Sequence, residues 1–269
     1  MKRRLLIVAL AVIALLALAA PAAAINYGDP DNGEHPYVGL AVFDDANGNP
    51  MWRCSGTLLS PTLFLTAGHC TEAPAARATI WFEEDVQSGI PGNGYPFGGA
   101  TSVDGTPYTH PQYNPNAFYL YDLGVVILDT PVIMPEYGEL PPLGVLDGLA
   151  TARGRQDTTI EAVGYGLQDI RPVTVGLRVR LKATLNLVDI NGTAGIPRGT
   201  SVMVSGNAHT GGTCFGDSGG PQFLNDTNTV VAVTSFGLNG NCAGVGGGYR
   251  VDQADDLNWL YGTFGAHLP

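Results

Sequence analysis

An all-β protein with a single C-terminal helix is what the sequence predicts, on three observations. Short apolar segments rich in valine, isoleucine, threonine and aromatic residues recur along the chain, the composition that half-buried strands favour. The 37 glycines and 19 prolines fall between these segments and punctuate them with turns. Helical periodicity is confined to the last part of the chain. Many short strands separated by turns point to a sandwich or a barrel.

In chain order the strand candidates are residues 37–43, 56–59, 63–67, 78–82, 123–128, 159–163, 177–187, 201–204 and 230–236. Residues 253–264 form the helix candidate, with Leu257, Leu260, Tyr261 and Phe264 on one side and Trp259 among the residues that pack it on the body. The proline-rich stretch 135–142 reads as a connector, so residues 25–140 and 141–269 are expected to form an N-terminal and a C-terminal half.

Residues 1–24 stand apart from this pattern. Lys2, Arg3 and Arg4 precede an apolar run over 5–20, and Pro21 and Ala22-Ala23-Ala24 follow it. That succession is a secretory signal peptide, with an uncleaved anchor as the alternative. No later segment approaches the roughly 20 apolar residues needed to span a bilayer. The formal charge of −11 becomes more negative once the signal is removed, and Lys182 is then the one lysine left. Such a chain has no basic stripe for nucleic acid or anionic lipid, and a soluble extracellular monomer is expected. Its four cysteines read as two disulfides in an exported chain. Three pairings are open; Cys54–Cys70 with Cys214–Cys242 closes two modest loops. Neither pair has the close spacing of zinc ligands, and no histidine cluster completes a tetrahedron. No metal or other cofactor is expected.

Three stretches carry chemistry when read together: Leu65-Thr66-Ala67-Gly68-His69-Cys70, Asp122-Leu123-Gly124-Val125-Val126-Ile127-Leu128 and Gly216-Asp217-Ser218-Gly219-Gly220-Pro221. Acyl transfer at neutral pH needs a nucleophile, a base to take its proton and a group to orient that base. A serine hydroxyl reacts only when a neutral imidazole can accept its proton. A buried carboxylate fixes the imidazole tautomer and stabilises the cation that forms. The N–H groups of Gly216 and Ser218 could converge on the developing oxyanion, each such donor being worth about 2.7–4 kcal/mol of barrier. Taken singly, each residue has a plainer reading: a structural histidine, a strand-edge carboxylate, a turn serine. His35, His110, His209 and His267 have no matching partners in the sequence.

Together the three stretches resemble the signatures of the trypsin/chymotrypsin family, in its chain order of His, Asp and Ser. The resemblance runs from about Ile25 to the terminal helix. Further matches are Cys54-Ser55-Gly56-Thr57-Leu58, like the strand whose cysteine bridges to the one beside the catalytic histidine, and His110-Pro111-Gln112-Tyr113, like the segment that precedes the catalytic aspartate. Gly164-Tyr165-Gly166 is similar to the family's Gly-Trp-Gly, and Ser235-Phe236-Gly237 to its Ser-Trp-Gly. The resemblance implies two six-stranded antiparallel β-barrels with the site between them. It implies a triad of His69, Asp122 and Ser218, a hydrogen bond from Ser235 to Asp122, and substrate backbone pairing at Gly237. The partner is then a protein or peptide substrate.

The resemblance also implies a switch. In this family a new N-terminal amine folds inward to pair with the aspartate before the serine, here Asp217. Cleavage after Ala24 would create that amine at Ile25 directly; the plainer alternative makes Ile25 the start of a strand. Gly212 and Thr213 are expected at the base of the specificity pocket and Phe215 at its rim. With no acid at Gly212 and no histidine at Val233 or Thr234, neither a basic nor an acidic residue is expected before the scissile bond, and an apolar or aromatic one is favoured. Glu83, Glu84 and Asp85 stand where some family members bind calcium, or form a solvated turn. Asn191-Gly192-Thr193 and Asn225-Asp226-Thr227 match glycosylation sequons. One rival function remains, a catalytically silent homologue acting as a binding module; an α/β-hydrolase esterase, whose histidine would come last in the chain, fails on that order.

Overall fold

A computed structural model of the chain describes residues 25–149, 158–170, 172–190 and 195–269. Residues 1–24, expected to be a signal peptide, and the sequon at Asn191 lie outside the described residues. No helix among the described residues is long and apolar enough to cross a membrane.

Strand β1 spans only Asp29–Pro30. The next six strands are β2 (Val38–Asp44), β3 (Pro50–Leu58), β4 (Leu63–Thr66), β5 (Arg77–Trp81), β6 (Ser102–Thr109) and β7 (Gly124–Leu128). They close a barrel in the order β2-β3-β4-β7-β6-β5. The last six are β8 (Thr159–Gly164), β9 (Leu181–Asp189), β10 (Ser201–Gly206), β11 (Pro221–Leu224), β12 (Val230–Gly237) and β13 (Gly244–Arg250). They run β9-β10-β13-β12-β11-β8, and pairing of β8 with β9 closes the second barrel. All ladders of both barrels are antiparallel. Closure pairs every strand of each barrel on both sides over part of its length. Strand β1 adds to β9 from outside, with Asp29 opposite Lys182.

Two short helices, α1 (Gly68–Thr71) and α2 (Val86–Gly89), lie in the first half, and α3 (Ala254–Phe264) ends the chain. Leu257, Leu260 and Phe264 of α3 are buried, while Tyr261, expected on the same face, is exposed. Asp255 occupies its first turn, where the helix dipole favours negative charge. One core fills the first barrel around Leu40, Phe64, Leu65, Ile80 and Val125, and continues through Tyr165 and Phe223 to α3. A second fills the other barrel around Ile160, Leu185, Val202 and Val231, and it takes in Ile25. Each fully buried aliphatic or aromatic side chain contributes about 1.5–3 kcal/mol.

Three strands do not follow the sequence pattern. Strand β13 reads Gly-Val-Gly-Gly-Gly-Tyr-Arg, a composition that weakens a strand. The glycines are there because a Cβ at Gly247 would lie 2.3 Å from the Phe236 ring and one at Gly248 would lie 2.4 Å from Gln222 Oε1. Strand β6 contains Pro107, which pairs with Val126 of β7 beyond the last β5 partner, Gly105; a missing N–H is tolerated there. Strand β11 is only four residues long. The expected strand 177–187 begins instead at Leu181, because Leu177 exchanges backbone hydrogen bonds with the Gln168 side chain.

Candidate active site

His69 sits on α1, just past the end of β4. The turn is tight: a Cβ at Gly68 would lie 3.0 Å from the Leu123 amide nitrogen. Asp122 is fully buried, two residues before β7. Its Oδ2 is 2.9 Å and its Oδ1 3.1 Å from His69 Nδ1, and Oδ1 also accepts the His69 backbone N–H at 2.8 Å. Ser235 donates its hydroxyl to Asp122 Oδ2. A carboxylate held this way accepts a hydrogen bond from Nδ1–H, which keeps that proton on the ring and leaves Nε2 as the basic nitrogen. Burial alone would lower the His69 pKa, but the charge and hydrogen bond of Asp122, with the charge of Glu72, outweigh it and raise the value.

Ser218 follows β10 in the loop that leads to β11. Gly216 adopts φ +98° and Gly219 φ +77°, the left-handed region that favours glycine. A Cβ at Gly219 would lie 2.0 Å from Thr66 Oγ1, so the loop can pack on the first barrel only without one. The carbonyl of Phe215 accepts from Leu167 N at 2.8 Å, and that of Asp217 accepts from Gly220 N at 2.8 Å. In a trans peptide the N–H points opposite to the C=O. The amides of Gly216 and Ser218 therefore face away from those partners, and neither donates a hydrogen bond among the described residues. Ser218 and His69 line one cavity of about 540 Å³. Among the described residues the Ser218 hydroxyl makes no hydrogen bond.

Asp217 is buried beneath this loop. Its Oδ1 accepts from Gly166 N at 2.7 Å and its Oδ2 from Cys214 N at 2.8 Å. Burial drives its pKa up to about 7, against the pull of those N–H groups and of Arg53. No cation lies within ion-pair distance of it among the described residues. Ile25 is fully buried with φ +56°, and Asn26 bridges to Gly212, accepting Gly212 N at 2.9 Å. The segment that would carry a new amine thus already lies inside the second barrel.

The rest of the cavity is lined by Thr213, Phe215, Thr234, Ser235, Phe236, Gly237, Leu238 and their neighbours, none of them charged at neutral pH. Phe215 stands at the rim, 59% exposed. A smaller recess behind Thr213 is bounded by Gly206, Gly246 and Cys242. Gly212 is not among the lining residues of either space; its Cβ direction meets Gly206 Cα at 2.8 Å, which places it behind the pocket floor. Strand β12 runs past its last β11 partner, Val233, so residues 235–237 keep a free edge toward the cleft.

Cys54 is bonded to Cys70 and Cys214 to Cys242. The sulfurs of Cys54 and Cys70 lie close to His69, but bonded to each other they offer no thiolate to a metal. Asp85 caps α2 by accepting Ser88 N, and Glu84 accepts Asn32 N, so these carboxylates serve the backbone.

Sequence reasoning missed Ser55. It donates its N–H to the Ser218 carbonyl at 2.8 Å and its hydroxyl to the Gly216 carbonyl at 2.9 Å, and accepts from Tyr165 N. Its place beside Cys54 was the signal available.

A family model described as Trypsin matches residues 25–257. The chain is similar to a trypsin from Saccharopolyspora erythraea, 28% identical over 214 residues that cover 78% of this chain and 84% of that one. It is similar to a collagenase from Hypoderma lineatum, 27% identical over 253 residues, 88% of this chain and 89% of that one. The solved structure of HL collagenase has a TM-score of 0.69 at 21% identity, covering 90% of this chain and 99% of its own. A scabies mite inactivated protease paralogue gives 0.67 at 17% identity, covering 89% and 98%. At those identities the two structures speak for the fold alone.

Proposed function

This chain belongs to the trypsin family, and from that premise we propose that it is a secreted serine endopeptidase working through an acyl-enzyme. The observation that carries the proposal is the buried Asp122 carboxylate on His69 Nδ1, with His69 and Ser218 lining one cavity and the amides of Gly216 and Ser218 uncommitted among the described residues.

His69 Nε2 takes the Ser218 proton as the hydroxyl oxygen attacks the scissile carbonyl. The N–H groups of Gly216 and Ser218 receive the oxyanion. Protonated His69, stabilised by Asp122, then gives its proton to the leaving amine. Water, activated by the same imidazole, releases the acyl group from Ser218. Substrate backbone adds to the free edge at residues 235–237 as an extra strand. The uncharged lining of the pocket favours an apolar or aromatic residue before the scissile bond, since a buried charge there would have no partner. Export followed by cleavage after Ala24 supplies the Ile25 amine for Asp217, and the enzyme works as a monomer on peptide or protein substrates.

The silent-homologue alternative has a precedent of the same fold in the inactivated mite paralogue. All three reacting side chains are nevertheless present here. Hydrolysis of a peptide library by the secreted protein tests the proposal. Cleavage after aromatic or large apolar residues, absent in Ser218→Ala, is the expected result. Cleavage after lysine or glutamate would refute the pocket assignment, and cleavage by Ser218→Ala would refute the nucleophile.

A further inference from the structure

Among the described residues, Arg53 is a cation without a partner, in an acidic chain. The other described arginines and Lys182 are engaged in ion pairs, hydrogen bonds or other contacts. Arg53 is half-buried on β3 and has neither a hydrogen bond nor an ion pair among the described residues. Its Nε lies 3.3 Å from the Cβ position of Gly216, and its Nη2 3.4 Å from that of Gly176. The guanidinium therefore occupies a slot between two glycines, where a side chain at either position would crowd it. Asp217 feels its charge, but that carboxylate is buried and held by the amides of Gly166 and Cys214.

The position of Arg53 beside the Gly216 loop gives it a direction. Gly216 marks where the scissile carbonyl oxygen would sit, and the acyl side of the substrate runs along residues 235–237. Arg53 precedes Cys54, which is bonded to Cys70, the neighbour of His69. It therefore lies on the side where the leaving amine departs. An extended chain advances about 3.3 Å per residue, so the slot is within reach of side chains one or two residues beyond the scissile bond. A planar guanidinium matches a carboxylate with two parallel hydrogen bonds. We propose that Arg53 selects substrates carrying a carboxylate within the first two residues of the leaving fragment. This rests on the endopeptidase reading and adds a second, charge-based preference to the uncharged pocket.

Binding of uncleaved peptides to the Ser218→Ala protein tests it without requiring turnover. The peptides carry phenylalanine before the scissile bond and aspartate, alanine or lysine at both positions after it. The aspartate peptide should bind about tenfold more tightly than the lysine peptide at low salt. Adding Arg53→Gln should abolish that preference, and adding Arg53→Glu should invert it, with thermal melting showing each variant folded. Equal binding of the three peptides, or a preference that survives Arg53→Gln, would overturn the proposal. Charge sorting by a protein whose Ser218 form never hydrolyses peptides would support the role of Arg53 while refuting the enzyme.

Discussion

The backbone N–H of Ser55, in the first barrel, donates to the carbonyl of Ser218, in the second, at 2.8 Å. The Ser55 hydroxyl holds the Gly216 carbonyl as well. His69 and Asp122 belong to the same barrel as Ser55, so this residue relates the proposed base to the loop of the proposed nucleophile across the interface. A misplacement of about 1 Å in such a site can cost on the order of a hundredfold in rate.

Ser55→Ala removes the hydroxyl that bonds Gly216 O and Tyr165 N. Leaving buried groups unpaired costs about 1–3 kcal/mol. Urea unfolding should show that loss, and turnover should fall about tenfold or more with KM little changed. Unaltered turnover would mean that the serine loop is held by other contacts.

Ser218→Ala should fold normally and lose about a millionfold in turnover. Asp122→Asn should lose about 10⁴, a figure carried over from the trypsin family, because an amide on His69 Nδ1 favours the wrong tautomer. Steady-state kinetics with a chromogenic ester reads both. Wild-type rates in either variant would remove that residue from the mechanism.

Asp217 sets a pH dependence that differs between N-terminal forms. With residues still preceding Ile25, burial holds the carboxyl at about 7, against 3.8 unfolded. The unfolded chain then gives up its proton first, so stability should fall as pH rises from about 4 to about 7 and level off above. A chain beginning at Ile25 can pair the carboxylate with its amine and should lose this decline. Denaturant midpoints at pH 5 and pH 8 compare the two forms; identical pH dependence would contradict the pairing.

His35, which had no evident partner in the sequence, contacts Asp31 Oδ1 at 2.6 Å and Glu161 at 3.1 Å, and Arg180 contacts Asp31 at 2.8 Å. Burial alone would lower the His35 pKa, but its two acids raise it to about 9. Burial would raise that of Asp31, but His35 and Arg180 lower it to about 2. The histidine contribution is complete below about pH 6.5 and is lost as pH climbs toward 9. The aspartate contribution is complete above about pH 4 and is lost toward pH 2. The melting difference between wild type and His35→Gln should therefore be largest near pH 6 and shrink by pH 9. A constant difference across that range would show that His35 acts by packing alone, through its stacking on Phe223.

The residues proposed to carry the chemistry stand out in the sequence because acyl transfer restricts residue types over short spacings. Gly216 and Gly219 read as loop glycines, and their positive φ values account for them. What was illegible depends on contacts between distant segments. The glycines of β13 make sense only against Phe236 and Gln222. Gly212 lies behind the pocket floor because Gly206 of β10 faces it. The Asp31–His35 pair, four residues apart, left a local signal, but Glu161 and Arg180 are brought to it only by the second barrel.

The central claim is that Ser218 is an activated nucleophile. Labelling of the secreted protein with a fluorophosphonate probe, followed by peptide mapping beside Ser218→Ala, tests it most directly. Label on Ser218 in the wild type and none in the variant is the expected result. No label on folded protein beginning at Ile25 would contradict it and leave the silent-homologue reading in its place.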